Sequence, residues 1–334
     1  LKRHKALLGL LLLSLAATCA RAQETGYAYG YEAFSRLIEE SYRLTHSQGL
    51  EPFYRWFEGA YARHAGESLR QALEARRRVY GELKAPQRAV FERESAIWAY
   101  RTVKALIPRF SLERGYEFAY AVRYGERQCL LQSVIIAGML QRIGMRAGAV
   151  MVWKSLHGQV SNNGHVTAVL RLSDGHDLLV DASEPQPFPQ HQGLFTWDRT
   201  QGDYRFLEPV YDVDGGIRAY GVVGRREELK TQEVGLLSLD FLRSQFFYYR
   251  GERAPGGFMG PSTPQGLWAS ARFLEEAVRA EPRNPLPVYV LGLVYRKQGR
   301  LEAARRQIQA GYALYQRYGF VPEGPKAAYV WAGE

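Results

Sequence analysis

CLLQSVIIAGMLQRIG, residues 129–144, sets how the chain on either side of it is read. Leu130 to Leu140 is almost unbroken in apolar character, and Ile143-Gly144 closes the run with the residue that turns most easily out of a helix. A helix that is apolar on every face has no side to offer water, so this one belongs in the centre of a core. Three runs of strand character follow at residues 147–153, 165–172 and 177–182. One buried helix followed by neighbouring strands predicts an α+β fold with an antiparallel sheet, because a doubly wound α/β fold alternates the two element types.

Upstream, helical periodicity covers residues 27–110. Phe34, Leu37 and Ile38 fall at i, i+3 and i+4, and Gly49, Pro52, Pro86 and Pro108 supply the breaks. The prediction is a helical N-terminal domain over residues 23–115, with Arg76-Arg77-Arg78 on a solvated helix face. Downstream, residues 116–250 read as one domain that adds a proline-rich loop at 184–189, aromatic strand-like pieces such as 217–223, and a helix near 236–249. Residues 251–266 hold five glycines and three prolines and read as a linker.

Helical pattern resumes over 267–334. Val288-x2-Leu291-Gly292-x2-Tyr295 followed by Ala304-x3-Ile308 resembles one tetratricopeptide repeat, and Ser270-x3-Leu274 with Ala277 stands thirty-four residues earlier in register. Val288 replaces the usual Trp, Ile308 the usual Phe, and Gln316 the closing Pro. About one and a half such units cannot close a core alone, so the segment is expected to lean on its neighbour and to offer a docking face to a protein partner.

The overall composition, 46% hydrophobic and 23% charged, is that of a globular protein and excludes a fibrous or wholly disordered one. Lys2, Arg3 and Lys5 precede an apolar run from Ala6 to Ala17, and Ala20-Arg21-Ala22 follows with the small-x-small pattern of a cleavage site. Residues 1–22 therefore read as a secretory signal peptide, and the mature chain is expected to be secreted or to lie in the periplasm or cell envelope. Cleavage removes four basic residues and no acid, which lowers the formal charge from +10 to +6, too little for a nucleic-acid footprint. It also removes Cys19, whose lipidation is the weaker reading, and leaves Cys129 as the one thiol, so no internal disulfide can form. No later stretch reaches the roughly 18 apolar residues that a membrane span needs.

A lone Cys beside an apolar run is usually packing. Cys129, however, opens the helix, where free backbone N–H groups and the positive end of the dipole favour a thiolate and could hold an oxyanion after attack on a carbonyl. A thiolate nucleophile needs a base and a group that orients that base. His165 begins a strand after the loop 154–164, and Asp181 ends the next strand. A three-residue Ser173-Asp174-Gly175 turn pairs Leu172 with His176 and hence Thr167 with Asp181, which makes Asp181 a same-face diagonal neighbour of His165. A two-residue turn would put Asp181 on the wrong face. His157 and His176 are rival bases, and His191, in a polar loop, reads as solvated. One Cys and scattered His residues lack the paired spacing of a metal site, and no phosphate-binding glycine loop occurs, so no cofactor is expected.

Gly125-Glu126-Arg127-Gln128-Cys129, Leu140 to Gly144, Gly164-His165-Val166 and Leu179-Val180-Asp181-Ala182-Ser183 together resemble the transglutaminase-like family of papain-type thiol enzymes. The likeness covers about residues 116–183, and the Cys-to-His and His-to-Asp spacings of 36 and 16 residues fit it. Ala182 stands where that family commonly has proline, and no glycine adjoins Cys129. The resemblance also implies a side-chain oxyanion donor, for which Trp98, Gln128 and Trp153 are all open. The resemblance implies a Cys-bearing helix packed on an antiparallel sheet, with Cys129 as nucleophile, His165 as general base and acid, and Asp181 as orienting carboxylate. It implies an enzyme acting on a peptide or carboxamide bond through a thioester, with hydrolysis favoured over cross-linking. The competing expectation is a non-catalytic peptide-binding scaffold on the same fold.

Overall fold

The computed structural model describes residues 27–334; the segment read as a signal peptide, Cys19 included, lies outside the described residues. Four helices come first: α1 (Glu32–Leu44), α2 (Phe53–Ala65), α3 (Leu69–Glu82) and α4 (Gln87–Leu106). The start of α3 is set by a reciprocal cap, in which Ser68 Oγ accepts from Gln71 N–H while the Gln71 side chain accepts from Ser68 N–H. A two-stranded parallel ladder of β1 (Arg109–Phe110) and β2 (Glu126–Arg127) brackets the short α5 (Phe118–Tyr124) and leads into α6 (Cys129–Ile143). Every residue of α6 from Cys129 to Leu140 is buried, as its uniform apolarity requires.

Strands β3 (Arg146–Lys154), β4 (Val160–Arg171) and β5 (Asp177–Val180) follow, then β6 (Gly193–Asp198), β7 (Asp203–Tyr211), β8 (Ile217–Val222) and β9 (Glu228–Lys230). All of their ladders are antiparallel, in the order β5-β4-β3-β6-β7-β8-β9, and a pairing of Asp177 with Ile217 joins β5 to β8. Six strands thus close into a barrel, with β9 appended. The fold is α+β, as the order of elements predicts. Closure into a barrel is not foreseen from sequence, because β6 and β7 carry no clean alternation. The segment 154–164 is also shorter as a loop than it reads, since Lys154 pairs with Val160 across a tight turn.

Side chains of the barrel alternate in the usual way. Val150, Val152, Val169, Leu179, Leu194 and Leu207 fill its interior. Ala149, Met151, Val166, Ala168 and Phe195 face outward onto the helices and share one core with Phe34, Leu131, Leu274 and Ile308. The N-terminal helices therefore have no core of their own: Leu69 and Leu73 pack into the cluster that holds α6, and Tyr29 N–H donates to Gly138 O at 2.9 Å.

The chain continues as α7 (Leu239–Glu252), α8 (Pro264–Ala280), α9 (Pro285–Lys297), α10 (Leu301–Arg317) and α11 (Glu323–Gly333). The stretch read as a linker over 251–266 is helical at both ends, and its middle is tied down: Gly257 N–H donates to Ala254 O, Thr263 N–H to Gly256 O, and Ser270 Oγ to Gly251 O. Its glycines permit close packing between α7 and α8 rather than freedom. Gly292 of α9 does the same against α10, where any Cβ would lie 2.6 Å from Ile308. The C-terminal helices lean on the barrel, with Tyr315 stacked on Phe206 and Phe320 tilted against Trp153 at 4.5 Å between ring centroids. Among the described residues no helix is long and apolar enough to cross a membrane.

Candidate active site

The hairpin between β4 and β5 decides where Asp181 goes. Leu172 N–H donates to His176 O at 2.8 Å, Gly175 takes φ +95°, and Arg171 pairs with Asp177. This is the three-residue turn, and the φ required at its third position suits only glycine without strain. Asp181 therefore falls on the same face as His165. His165 Nε2 donates to Asp181 Oδ2 at 2.7 Å.

Cys129 is the first residue of α6. Gln128 before it is extended and its side chain does not cap the helix, so the first-turn N–H groups meet no side-chain acceptor there. Ser133, one turn along, donates to Val166 O at 3.0 Å and pins this end of α6 against β4 beside His165. With Nε2 committed to Asp181, Nδ1 is the ring nitrogen left to bond the sulfur, and Sγ also accepts from the backbone N–H of Val166. Tyr249, from α7, places its hydroxyl 3.5 Å from Sγ and donates to Gly164 O at 2.9 Å.

Charge follows from this packing. Burial pushes the Cys129 thiol up, but the His165 charge and hydrogen bond, with help from the Val166 N–H, outweigh it and bring the thiol below its ordinary range. Burial pulls His165 down, yet the charges of Asp181 and Cys129 raise it well above the usual histidine value. Burial would raise Asp181 too, and the two imidazoles on it hold it far below the ordinary carboxylate range. The arrangement favours a thiolate, an imidazolium and a carboxylate in a row.

His157 and His176 are not brought to the sulfur. His157 sits in the 155–159 turn, and His176 is held at the hairpin tip between Asp174 at 3.1 Å and Asp212 at 2.8 Å. His191 corrects the sequence reading. It is 1% exposed, not solvated, and its Nε2 donates to Asp181 Oδ2 at 3.1 Å. A loop rich in Pro, Gln and His looks polar, but Tyr211 donates to His191 O and Gln192 N–H to Lys154 O, and these bonds fold it inward.

Three more residues belong to the site and carry only faint sequence signals. Gln132 donates to Ser183 Oγ at 2.6 Å and to Asp181 Oδ1 at 3.3 Å. Its signal is a polar residue one turn after the Cys in an otherwise apolar helix. Arg127 is buried, and its guanidinium donates to Ile107 O, Pro108 O and Ala182 O, so it ties the end of α4 to the loop after Asp181. Tyr249 lies 120 residues from Cys129, and nothing local marks it.

Of the open oxyanion donors, Trp98 Nε1 donates to Tyr61 and Trp153 Nε1 to Leu207 O. The Gln128 amide is buried with neither its nitrogen nor its oxygen partnered among the described residues. His165, Asp181 and His191 also bring three potential metal ligand atoms within 4.8 Å of one another. At 2.7 and 3.1 Å from one oxygen, though, both imidazoles are at hydrogen-bond distance from the carboxylate, with an N–H proton occupying the position a cation would take. No protein-family model matches the chain, and a search of curated proteins found none similar to it.

Proposed function

We propose that the protein is an exported thiol enzyme that cleaves a peptide or carboxamide bond through Cys129, His165 and Asp181, on a transglutaminase-like core. One observation carries this reading: the 2.7 Å His165–Asp181 hydrogen bond, made beside a Cys at the start of a buried helix. A helix that presents the thiol to a sheet carrying His and Asp on adjacent strands supports the family likeness noted in the sequence. The C-terminal helices, tetratricopeptide-like in pattern, would serve a protein partner.

In this mechanism the Cys129 thiolate adds to the carbonyl carbon, and the oxyanion is met by the backbone N–H of Cys129 and the Gln128 amide. The C–N bond then breaks as the His165 cation gives its proton to the leaving amine, which leaves a thioester on Cys129 and a neutral imidazole. Water attacks the thioester with His165 as base and leaves it the cation, and the C–S bond then breaks to release the acid and restore the thiolate and imidazolium pair. Asp181 holds the ring and its charge throughout without taking the proton.

The decisive experiment is alkylation by iodoacetamide across pH. The paired thiolate should still label fast near pH 6, well below the free-Cys pKa of about 8.5. Cys129→Ala should abolish labelling and hydrolysis and leave the fold intact; His165→Ala should move labelling to higher pH, and Asp181→Ala should do so less. A second reading, a peptide-binding scaffold, draws on two facts. Cys129 is 4% exposed, and a cavity of about 680 Å³ beside the 184–192 loop is lined by Lys154, His157, Glu184 and Tyr211 and by none of the three site residues. A thiol that labels only above about pH 8, or at a rate indifferent to His165→Ala, would make that reading the right one. Intact-mass measurement of exported material tests the location: the chain should begin near Gln23, and a mass retaining residues 1–22 or carrying acyl chains on Cys19 would refute soluble export.

A further inference from the structure

Asp181 Oδ2 serves two imidazoles at once. His165 Nε2 lies 2.7 Å from it and His191 Nε2 3.1 Å, with the two rings 5.5 Å apart and nearly perpendicular. The other oxygen, Oδ1, is held separately by Ser183 N–H at 2.8 Å and Gln132 Nε2 at 3.3 Å. The aim of the carboxylate is therefore set without His191. Yet the loop that carries His191 is fastened at both ends. Tyr100 Oη lies 2.8 Å from both Glu184 O and Pro185 O, Lys104 Nζ donates to Glu184 O, and Tyr211 donates to His191 O at 2.7 Å. A buried imidazole so firmly delivered to an oxygen that already has its partner calls for a reason other than orientation.

We propose that His191 is a positioning residue whose Nε2–H shares Asp181 Oδ2 with the Nε2–H of His165, and so limits how firmly the carboxylate holds the His165 cation. A carboxylate oxygen that accepts from one donor binds it more strongly than one that divides its charge between two. In the proposed reaction His165 must keep its proton while the thiolate attacks and then surrender it to the leaving amine. A carboxylate that held the cation without competition would slow the second step. Only that consequence rests on the thiol-enzyme reading.

The titratable and charged groups around the pair come from five elements: Cys129 of α6 and Tyr249 of α7 on the sulfur side, Asp181 after β5 between the rings, Arg127 of β2 through Ala182 O, and Tyr211 of β7 on the His191 backbone. None of the others donates to Oδ2 among the described residues, so His191 alone is placed to compete there.

The test is long-range ¹H–¹⁵N correlation on the full chain with labelled histidine, which reads the proton on each ring nitrogen as pH is varied. In the wild type, His191 should be protonated at Nε2, and finding it protonated at Nδ1 alone would overturn the proposal without any variant. In His191→Leu the His165 titration midpoint should rise by about one unit, and His191→Gln, which keeps an N–H donor, should bring it back towards the wild type. A midpoint that falls or stays in His191→Leu would mean that His191 merely packs. None of these readings needs turnover, so a protein whose thiol proves unreactive would fail the enzyme reading and still answer this one.

Discussion

A carboxylate with no exposure survives in a core only if donors surround it, and Asp181 has four, from Ser183, Gln132, His165 and His191. Its folded pKa is held below the ordinary value, so the stability it supplies is complete above about pH 4 and is lost as pH falls towards the folded value. His165 runs the other way: its contribution is complete below about pH 6.5 and is lost as pH rises through its raised folded value. Asp181→Asn should cost about 3 kcal/mol at neutral pH and flatten the acid arm of the stability profile, read by denaturant unfolding between pH 2 and 7. Arg127→Met leaves the buried carbonyls of Ile107 and Ala182, and the outer one of Pro108, short of a donor; it should cost roughly 3 kcal/mol and slow Cys129 labelling near pH 6, because Ala182 O is its link to Asp181. At this scale Cys129, His165 and Asp181 are legible in sequence by residue type and spacing. Arg127, Gln132, His191 and Tyr249 are not, because a buried polar residue looks like a surface one until its partners are known.

Elements carry the site by register. One residue more or less in the β4–β5 turn would move Asp181 to the opposite face of the sheet. Deleting Ser173 should therefore move Cys129 labelling to higher pH about as far as Asp181→Ala does, while circular dichroism still reports helix and sheet. Gly175→Val places a branched side chain at φ +95° and should cost about 1–2 kcal/mol in a thermal or denaturant melt. In α6, Leu131→Ala should cost about 2–5 kcal/mol, since Leu131 is wholly buried and the surrounding core has little room to collapse. The α6 helix, its glycine stop and strands β3, β4 and β5 are readable because their periodicities are strong and local. Strands β1, β2, β6, β7 and β9 escape notice, the first two because they are two residues long and the others because their side chains answer to neighbours far along the chain.

Across the whole molecule, the helices before and after the barrel close one core. Phe34, Leu73, Leu131, Leu274 and Ile308 belong to a single apolar cluster, and the buried Arg250–Glu117 pair at 2.7 Å joins α7 to the segment before α5. The full chain should unfold in one cooperative transition, with calorimetric and van't Hoff enthalpies in agreement. A chain ending at residue 252 should be insoluble or molten by near-UV circular dichroism, because it would bare Phe247, Phe206 and Trp153 where α8, α10 and Phe320 now cover them. Linker-like composition at 251–266 misleads for a physical reason: glycine permits close approach as readily as it permits freedom, and composition does not distinguish the two.

Sequence alone determined the elements whose cause is local: the central helix and its glycine stop, and the order of helix and strands that makes the fold α+β. It also marked three residues whose chemistry needs company. Tertiary structure alone decided that the sheet closes into a barrel, that the flanking helices share its core, and that His191, Gln132, Arg127 and Tyr249 converge on the same few ångströms. The division follows from what each kind of information contains. Turn chemistry and periodicity act over a few residues and are written in order along the chain, whereas the surroundings of a buried polar group are set by segments far apart, such as Cys129 and Tyr249 at a separation of 120 residues, that meet only once the chain has folded.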